Sequence, residues 1–270
     1  MQGIHEFIPT KLKVDYINLL LDVGFDTIDF GSFVSPKAIP QMADTAEVLK
    51  GLDLSSTKSK LLAIVANLRG VDAALVHEEI DYLGFPLSLS ETFQLRNTNK
   101  SIKEAMEVVR GAQESCTKKG KTLVVYLSMG FGNPYGDPYS VEVVLEFVER
   151  LNGMGIKIIS LADTVGVARP DDISPVFSNL ISKYPDIEFG AHLHAAPHQV
   201  AQKLEAVVDS GCRRIDGAIR GFGGCPMAED DLVGNLATEQ IIHALSLESS
   251  SVFNHEALLK SQEFSYRVFS

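Results

Sequence analysis

The sequence predicts an α/β protein built as a TIM (β/α)8-type barrel whose first strand is missing from the chain. Its 270 residues, 29.4 kDa and 45% hydrophobic content suit one α/β barrel. Short apolar or β-branched runs alternate with amphipathic stretches, which is the pattern of βα units around a parallel sheet. Seven such runs can be placed, whereas a closed barrel of this kind needs eight.

The predicted strands, in chain order, span residues 26–30, 61–66, 79–84, 122–128, 157–161, 187–191 and 213–217. The predicted helices span residues 11–23, 42–50, 71–77, 102–117, 140–154, 171–183, 198–210, 235–246 and 257–267. The helix at 102–117 illustrates the reasoning, because apolar residues recur there at helical spacing. Ser101 can cap its first turn and Gly120 follows its end.

The first nine residues read as a loop that runs directly into a helix, as though the strand before this loop were absent. No Pro/Gly/Ser-rich linker, repeat or low-complexity stretch favours another arrangement. We therefore expect residues 1–270 to form a single domain, with the barrel in about residues 1–245 and a helical tail at 246–270. Met1 should lie near the carboxyl-end face, beside a gap at the first strand.

The charge balance limits the partners that the chain can bind, and the cysteine count indicates its cellular compartment. The chain has 24 basic and 35 acidic side chains, a net charge of −11, so we expect no nucleic acid partner. Its three cysteines, Cys116, Cys212 and Cys225, form no disulfide framework and suit the cytoplasm. No apolar run reaches the length of a membrane span, so we expect no membrane association.

In a barrel the reacting groups lie where strands end, and the strand at 187–191 runs into His192 and His194. Alternation along an extended chain places both imidazoles on one side, where one metal ion could bind both. The alternative, that these histidines are simply two polar residues at a strand end, is equally consistent with the sequence. The adjacent Arg213 and Arg214 are interpreted as a solvated face.

The strand at 213–217 leads into a glycine-rich loop that carries Cys225 and then Pro226. Glycines allow tight turns and close approach of the backbone to a ligand, which favours a functional thiol at Cys225 over a buried hydrophobe. Cys116 and Cys212 lack such a setting and are expected to be buried. Farther along, Asn235 could cap the helix that follows or turn its side-chain oxygen to a metal.

Further strand ends carry loops rich in Gly, Pro, Ser and Asn, all predicted on the same face of the barrel. This clustering exceeds what turn chemistry requires, so we expect the polar residues there to face a ligand. The candidates are Asp29, Ser32, Asn97, Asn99, Ser128, Asn133 and Asp163.

Several motifs, in the same order along the chain, resemble those of the hydroxymethylglutaryl-CoA lyase family. They lie at residues 32–37 (SFVSPK), 40–42 (PQM), 133–135 (NPY), 160–166 (SLADTVG), 223–226 (GGCP) and 234–239 (GNLATE). The match runs from residue 1 to about residue 245. Independent motifs in one order are much more specific than the histidine pair alone.

The resemblance implies a TIM-barrel metallolyase that cleaves 3-hydroxy-3-methylglutaryl-CoA to acetoacetate and acetyl-CoA with a bound divalent ion, Mg²⁺ or Mn²⁺. It also implies that His192, His194 and Asn235 are metal ligands and that Cys225 assists proton transfer. An acyl-CoA is then the small-molecule partner, and a homodimer is the expected assembly.

The same resemblance gives active-site positions to two carboxylates and one amide. Asp29 stands where the family commonly has a glutamate, Asp163 matches an active-site aspartate, and Gln2 matches a glutamine of the first loop. We assign the role of base to His192 or Asp163. Substrate contacts are expected from Gln2 and from the serines and asparagines of the strand-end loops.

Departures from the family pattern leave alternatives open. The Arg-Asp pair that ends the family's first strand, where the aspartate binds the metal and the arginine stabilises the enolate, does not occur before Gln2 in the printed sequence. Ala195 and Ala196 replace an Asp-Thr pair after the histidines, and the loop between Cys225 and Asn235 is one residue longer. A related aldolase or Claisen-type synthase, or an inactive truncated chain that only binds, are the alternatives.

Overall fold

The computed structural model describes residues 1–2, 4, 6–223, 234–247 and 252–269. Within them, parallel strands form one sheet whose order follows the sequence. The strands are β1 (Thr27–Ser32), β2 (Lys60–Ile64), β3 (Tyr82–Ser88), β4 (Thr122–Ser128), β5 (Ile158–Asp163), β6 (Glu188–Leu193) and β7 (Arg214–Ile215). This sequential order confirms the barrel-type prediction, because a doubly wound sheet would reverse its strand order at a switch point.

Helices separate successive strands, as βα units require. They are α1 (Thr10–Val23), α2 (Thr45–Lys50), α3 (Leu68–Ala74), α4 (Glu91–Thr98), α5 (Ile102–Lys118), α6 (Val141–Gly153), α7 (Pro170–Lys183), α8 (Val200–Asp209), α9 (Thr238–Ala244) and α10 (His255–Val268). Short 3-10 turns lie at Pro40–Met42, Pro197–Gln199 and Ile219–Gly221. The sequence pattern did not predict α4, and β3 begins and ends later than the predicted 79–84.

Both faces of the sheet are covered, which explains why the strands read as continuous apolar runs. Outward side chains such as Leu83, Val125 and Leu161 lie under the helices in the main core. Inward side chains Leu62 and Val124 form a second apolar layer inside the curl of the sheet. This inner layer lies toward the amino ends of β3, β4 and β5, so it forms a packed floor beneath the carboxyl-end face of the sheet.

The prediction of a solvated arginine pair holds for Arg213 and is wrong for Arg214. Arg213 is exposed, whereas the Arg214 side chain is buried and points inward, because alternation along β7 places neighbours on opposite faces. Its guanidinium lies 3.3 Å from the Glu188 carboxylate and 5.7 Å from the centre of the Tyr82 ring.

The described residues show no pairing between β1 and β7, so two strand edges border a break in the wall. Helix α10 packs across it, against α1 before β1 and against the turn after β7. Tyr16 of α1 stacks on Phe264 at 6.3 Å and meets Phe269 edge-on at 5.7 Å between ring centres. Helix α10 therefore links the elements on the two sides of the break.

We expect Tyr16→Ala to lower the free energy of unfolding by about 3–5 kcal/mol, the cost of removing a large buried aromatic ring. Tyr16 is 4% exposed and is the centre of the contact between α1 and α10. Urea denaturation followed by circular dichroism measures the effect. Leu259→Ala on the exposed side of α10 is the matched control and should change stability by less than about 1 kcal/mol. Equal losses for the two variants would contradict this packing.

Candidate active site

Two imidazoles lie side by side at the carboxyl end of β6. His192 belongs to the strand and His194 follows its last residue, so alternation directs both rings to the same side. Their ring centres are 5.5 Å apart, and the ring of Tyr126 meets His192 edge-on at 5.6 Å. The two histidines that the sequence singled out can therefore share one ligand.

A carboxylate from the neighbouring strand fixes the His192 ring. His192 Nδ1 lies 3.1 Å from Asp216 Oδ2, and Asp216 follows β7 directly. Burial alone would lower the pKa of His192, but the hydrogen bond and charge of Asp216, with the charge of Asp29, outweigh it and raise the pKa. Because Nδ1 is engaged with the carboxylate, Nε2 is the nitrogen left for a ligand.

The ring of His194 is held in a different way, by a backbone carbonyl group. Its Nδ1 lies 3.0 Å from the carbonyl oxygen of Thr164, which can only accept a hydrogen bond, so the proton is on Nδ1 and Nε2 carries the lone pair. Burial, followed by the nearby His192, lowers the pKa of His194. A neutral imidazole with a free Nε2 is the form that binds metals.

Asn235 reaches the histidines from the loop after β7. It forms an antiparallel bridge with His194, and its side chain also hydrogen-bonds that ring. Its Nδ2 donates to the Phe222 carbonyl at 3.2 Å. Helix α9 begins at Thr238 with Ala237 as its cap residue, so Asn235 does not cap it. Of the two readings of Asn235, the structure excludes the cap and places the residue beside His194.

The loop that carries Phe222 depends on glycine. Gly223 has φ of +104°, and a Cβ atom there would lie 2.9 Å from Asn235 Nδ2. Any other residue would push the amide from its place and also strain the backbone. The glycine-rich pattern noticed in the sequence thus serves to seat Asn235 against the histidines.

Asp29 lies on β1 across from this group. Asp29 is exposed to water, but the surrounding barrel atoms remove much of the solvation of its carboxylate. This loss of solvation and the charge of Asp216 raise the pKa of Asp29 to about 7. The Met1 amino group and His192 oppose that shift. Met1 thus lies close to Asp29 at the carboxyl-end face, where the sequence predicts it.

Asp163, assigned a possible role as base, is committed to a buried ion pair. Its Oδ2 lies 2.8 Å from Lys203 Nζ, and both carboxylate oxygens accept from the Ala168 N–H at 3.1 Å. Both members of the pair are almost fully buried. A carboxylate held in this way is poorly placed to take a proton from a substrate, so the geometry favours a supporting role.

Two predicted serines end their strands on the expected face. Ser32 is the last residue of β1 and accepts a hydrogen bond from the Val34 N–H at 3.2 Å, and Ser128 is the last residue of β4. Asn133 holds its own loop, since its Oδ1 accepts from the N–H groups of Tyr135 and Asp137 at 3.0 and 3.1 Å. Substrate contacts from these three residues remain predictions.

Asn97 and Asn99 were predicted in a strand-end loop, and that placement is wrong. Asn97 lies in α4, and Asn99 ends this helix in the left-handed conformation with φ of 53°. The helix forms because the Ser90 hydroxyl caps it by accepting from the Phe93 N–H at 3.0 Å. Asparagine tolerates the left-handed conformation well, which accounts for Asn99 at this position. A substrate contact from either asparagine remains a prediction.

Within the described ranges, no group of three or more His, Cys, Asp or Glu side chains is placed to hold a metal ion. The set predicted from the sequence differs in composition, because it has two histidines and an amide. No helix in the described part of the chain is long and apolar enough to cross a membrane.

Comparisons with known proteins show the family of this chain. A family model described as HMGL-like matches residues 1–264. The chain belongs to the HMGL-like family. A hydroxymethylglutaryl-CoA lyase of Bacillus subtilis is 33% identical over 248 residues, covering 91% of this chain and 81% of that protein. The mitochondrial hydroxymethylglutaryl-CoA lyase of Mus musculus is 30% identical over 267 residues, covering 98% and 81%.

A solved structure extends the likeness to three dimensions. An HMG-CoA lyase of Acinetobacter baumannii, in complex with coenzyme A and 3-methylmalate, superposes on this HMGL-like chain with a TM-score of 0.90. The two are 29% identical, and the match covers 99% of this chain and 87% of the other. The family and the barrel-type fold expected from the motifs are confirmed.

Two further predicted site residues of the HMGL-like chain are Cys225 and Gln2. Cys225 lies outside the described residues. Gln2 is exposed in a turn closed by the Ile4 N–H donating to the Met1 carbonyl at 3.0 Å. Their roles remain sequence-based predictions.

We expect Cys116 and Cys212 to resist alkylation by iodoacetamide in the native protein. Both thiols are buried, and burial raises the pKa of each to about 11, so little thiolate forms near neutral pH. Mass spectrometry of modified peptides should find fast labelling confined to Cys225, with all three thiols reacting in urea. Fast native labelling of Cys116 or Cys212 would contradict their burial.

Reasoning from the sequence missed three residues that organise the site and its surroundings. Asp216 lies two positions after Arg214, so alternation along β7 could have placed both inside the barrel. Lys203 interrupts the apolar face of α8, between Val200 and Val207, and a charge at such a position indicates a buried partner. Gln41, buried, links residues 4–8 to the 3-10 turn, with Oε1 accepting from the Ile8 N–H at 2.8 Å.

Proposed function

We propose that this chain is a hydroxymethylglutaryl-CoA lyase, which cleaves 3-hydroxy-3-methylglutaryl-CoA to acetoacetate and acetyl-CoA. The observation that carries the proposal is the convergence of His192, His194 and Asn235 at one point of an HMGL-like barrel. Each histidine has its Nδ1 engaged with an acceptor, which leaves Nε2 as the nitrogen that a cation would bind in place of the present Asn235 contact at His194. This arrangement is preorganised to receive a cation.

The donor set fits a divalent metal ion. Two neutral imidazole nitrogens and an amide oxygen leave open positions for water and substrate, as a catalytic site needs. Asn235 Nδ2 is occupied by the Phe222 carbonyl, which leaves Oδ1 as the oxygen available to the ion. When bound there, Mg²⁺ or Mn²⁺ would polarise the substrate hydroxyl and carboxylate and lower the hydroxyl pKa.

Proton removal from the tertiary hydroxyl calls for a base at the mouth of the barrel. Asp29 suits this role better than Asp163, because Asp29 is open to water whereas Asp163 is paired with Lys203. The carbon–carbon bonding electrons then pass to the thioester, forming an enolate, and the alcohol carbon becomes the ketone of acetoacetate. The thiol of Cys225 would give a proton to the enolate carbon to form acetyl-CoA.

The test is a coupled measurement of acetoacetate and acetyl-CoA released from 3-hydroxy-3-methylglutaryl-CoA. We expect equal amounts of both products in Mg²⁺ or Mn²⁺, and none after chelation with EDTA. The chain as printed is compared with a version preceded by a strand that ends in Arg-Asp, because an arginine at that point would stabilise the enolate and raise turnover. If neither chain forms the products with either metal, the proposed function is wrong.

Three finer statements remain predictions of the sequence. They are the choice between Mg²⁺ and Mn²⁺, a homodimeric assembly and a cytoplasmic location. Calorimetry with each metal and light scattering after size-exclusion chromatography test the first two. A mass of one chain would contradict the homodimer.

A further inference from the structure

We propose that Lys203 is a positioning residue for the metal ligand His194. This inference rests on the proposed function, since it concerns how the same site is held. Lys203 belongs to α8 and is 2% exposed, although a lysine of a surface helix would ordinarily extend into water. An ammonium group buried to this extent is retained only where its partners are placed around it.

All three hydrogens of the Lys203 ammonium have acceptors. Nζ lies 2.8 Å from Asp163 Oδ2, 2.8 Å from the His194 carbonyl oxygen and 3.2 Å from the Gly166 carbonyl oxygen. Asp163 is the last residue of β5, Gly166 lies in the loop after it, and His194 lies in the loop after β6. One side chain thus ties two neighbouring strand-end loops together beneath the histidine pair.

The same two loops meet a second time at the His194 ring. Thr164, next to Asp163, presents its carbonyl oxygen to His194 Nδ1 at 3.0 Å. The Thr164 hydroxyl accepts from the Met129 N–H at 2.9 Å, which secures the β5 loop to the loop after β4. The ring of His194 is therefore held by Thr164 while its backbone is held by Lys203.

Through these contacts Lys203 acts on His194, the proposed metal ligand. If the ammonium is removed, the His194 backbone loses its link to the β5 loop, and the distance between Nδ1 and the Thr164 carbonyl is no longer fixed. The ring can then turn or change tautomer, and Nε2 leaves its place opposite His192. Partners of this kind commonly contribute about 10–100-fold to metal affinity.

The variant for the test is Lys203→Met combined with Asp163→Asn. Lys203→Met alone would leave the Asp163 carboxylate buried and uncompensated and could prevent folding, whereas the double change removes both charges together. The matched control is Lys13→Met with Asp44→Asn. Lys13 is also 2% exposed and lies 2.6 Å from the Asp44 carboxylate, but this ion pair joins α1 to the residue before α2.

Two readouts are measured on the full chain. The first is the Mn²⁺ dissociation constant by calorimetry, expected to rise about 10–100-fold in the Lys203/Asp163 variant and to stay within about twofold in the Lys13/Asp44 variant. The second is the ¹⁵N spectrum of the histidine rings without metal, assigned with His194→Ala. The parent should show the Nδ1–H tautomer of His194, and the Lys203/Asp163 variant a mixture.

The outcomes separate the two proposals. If the Lys203/Asp163 variant melts at a lower temperature but keeps the parent's tautomer and metal affinity, Lys203 is merely structural and the inference is overturned. If the parent binds no Mn²⁺, the proposed metal site fails, and the tautomer alone decides the positioning role. A mixed tautomer in that case upholds the role of Lys203, and an unchanged tautomer overturns it.

Discussion

Replacing His194 by alanine is expected to raise the dissociation constant for Mn²⁺ by about a hundredfold or more. Loss of a direct ligand should cost at least as much as the 10–100-fold loss that follows removal of an outer partner. His194 is 3% exposed and the Thr164 carbonyl fixes its ring, so the change removes a preorganised ligand. Calorimetric titration with Mg²⁺ and Mn²⁺ measures the effect, and product formation should fall in parallel.

The control for this change is His198→Ala. His198 is exposed in the 3-10 turn at Pro197–Gln199, four residues beyond His194. Its replacement should leave the binding curve unchanged, which separates loss of the ligand from general damage to this loop. The same binding curve before and after His194→Ala would show that the metal site is wrongly assigned.

Asp216→Asn is expected to lower turnover by about 10²–10⁴-fold while the protein remains folded. The carboxylate accepts from His192 Nδ1 at 3.1 Å, whereas an asparagine amide can donate to that nitrogen. Donation to Nδ1 moves the proton to Nε2, so the nitrogen that should face the metal no longer has a lone pair. A change of this type in a His-Asp pair has an effect of this size in other enzymes.

Steady-state kinetics with saturating metal measures the effect of Asp216→Asn. Asp186→Asn, at an exposed position before β6, is the matched control and should keep the parent's turnover. The ring spectrum of His192 should show the proton moved to Nε2 in the Asp216 variant alone. Unchanged turnover together with a moved proton would mean that the His192 tautomer does not matter for the reaction.

The sequence was sufficient for the parts of this molecule that depend on local pattern. Strands buried on both faces give continuous apolar runs, so each strand of the described residues was found, although β3 was placed too early. His192 and His194 were found because strand alternation is a local rule. Helix α4 was missed because its sequence, ETFQLRNT, is mostly polar and lacks an apolar stripe.

The pairing of the residues that organise the site could not be predicted from the sequence, for a different reason. His192 and Asp216 are 24 positions apart in the chain, and Lys203 and Asp163 are 40 apart. Such pairs depend on the register of neighbouring strands and on which helix packs over them, and neither leaves a periodic signal. The role of base assigned to Asp163 was weakened for this reason, since the position of Lys203 in the sequence indicates a buried partner but does not say which carboxylate it is.

Helix α10 also determines which part of the fold can form last during synthesis. Helices α1 and α10 come from opposite ends of the described chain, so a ribosome delivers the first long before the second. Until α10 arrives, the ring of Tyr16 lacks its aromatic partners and the elements on the two sides of the break are not linked. Contacts so distant in sequence also form slowly, because the whole intervening chain must be gathered first. The α1 side of the break therefore stays uncovered until the segment of α10 has been synthesised.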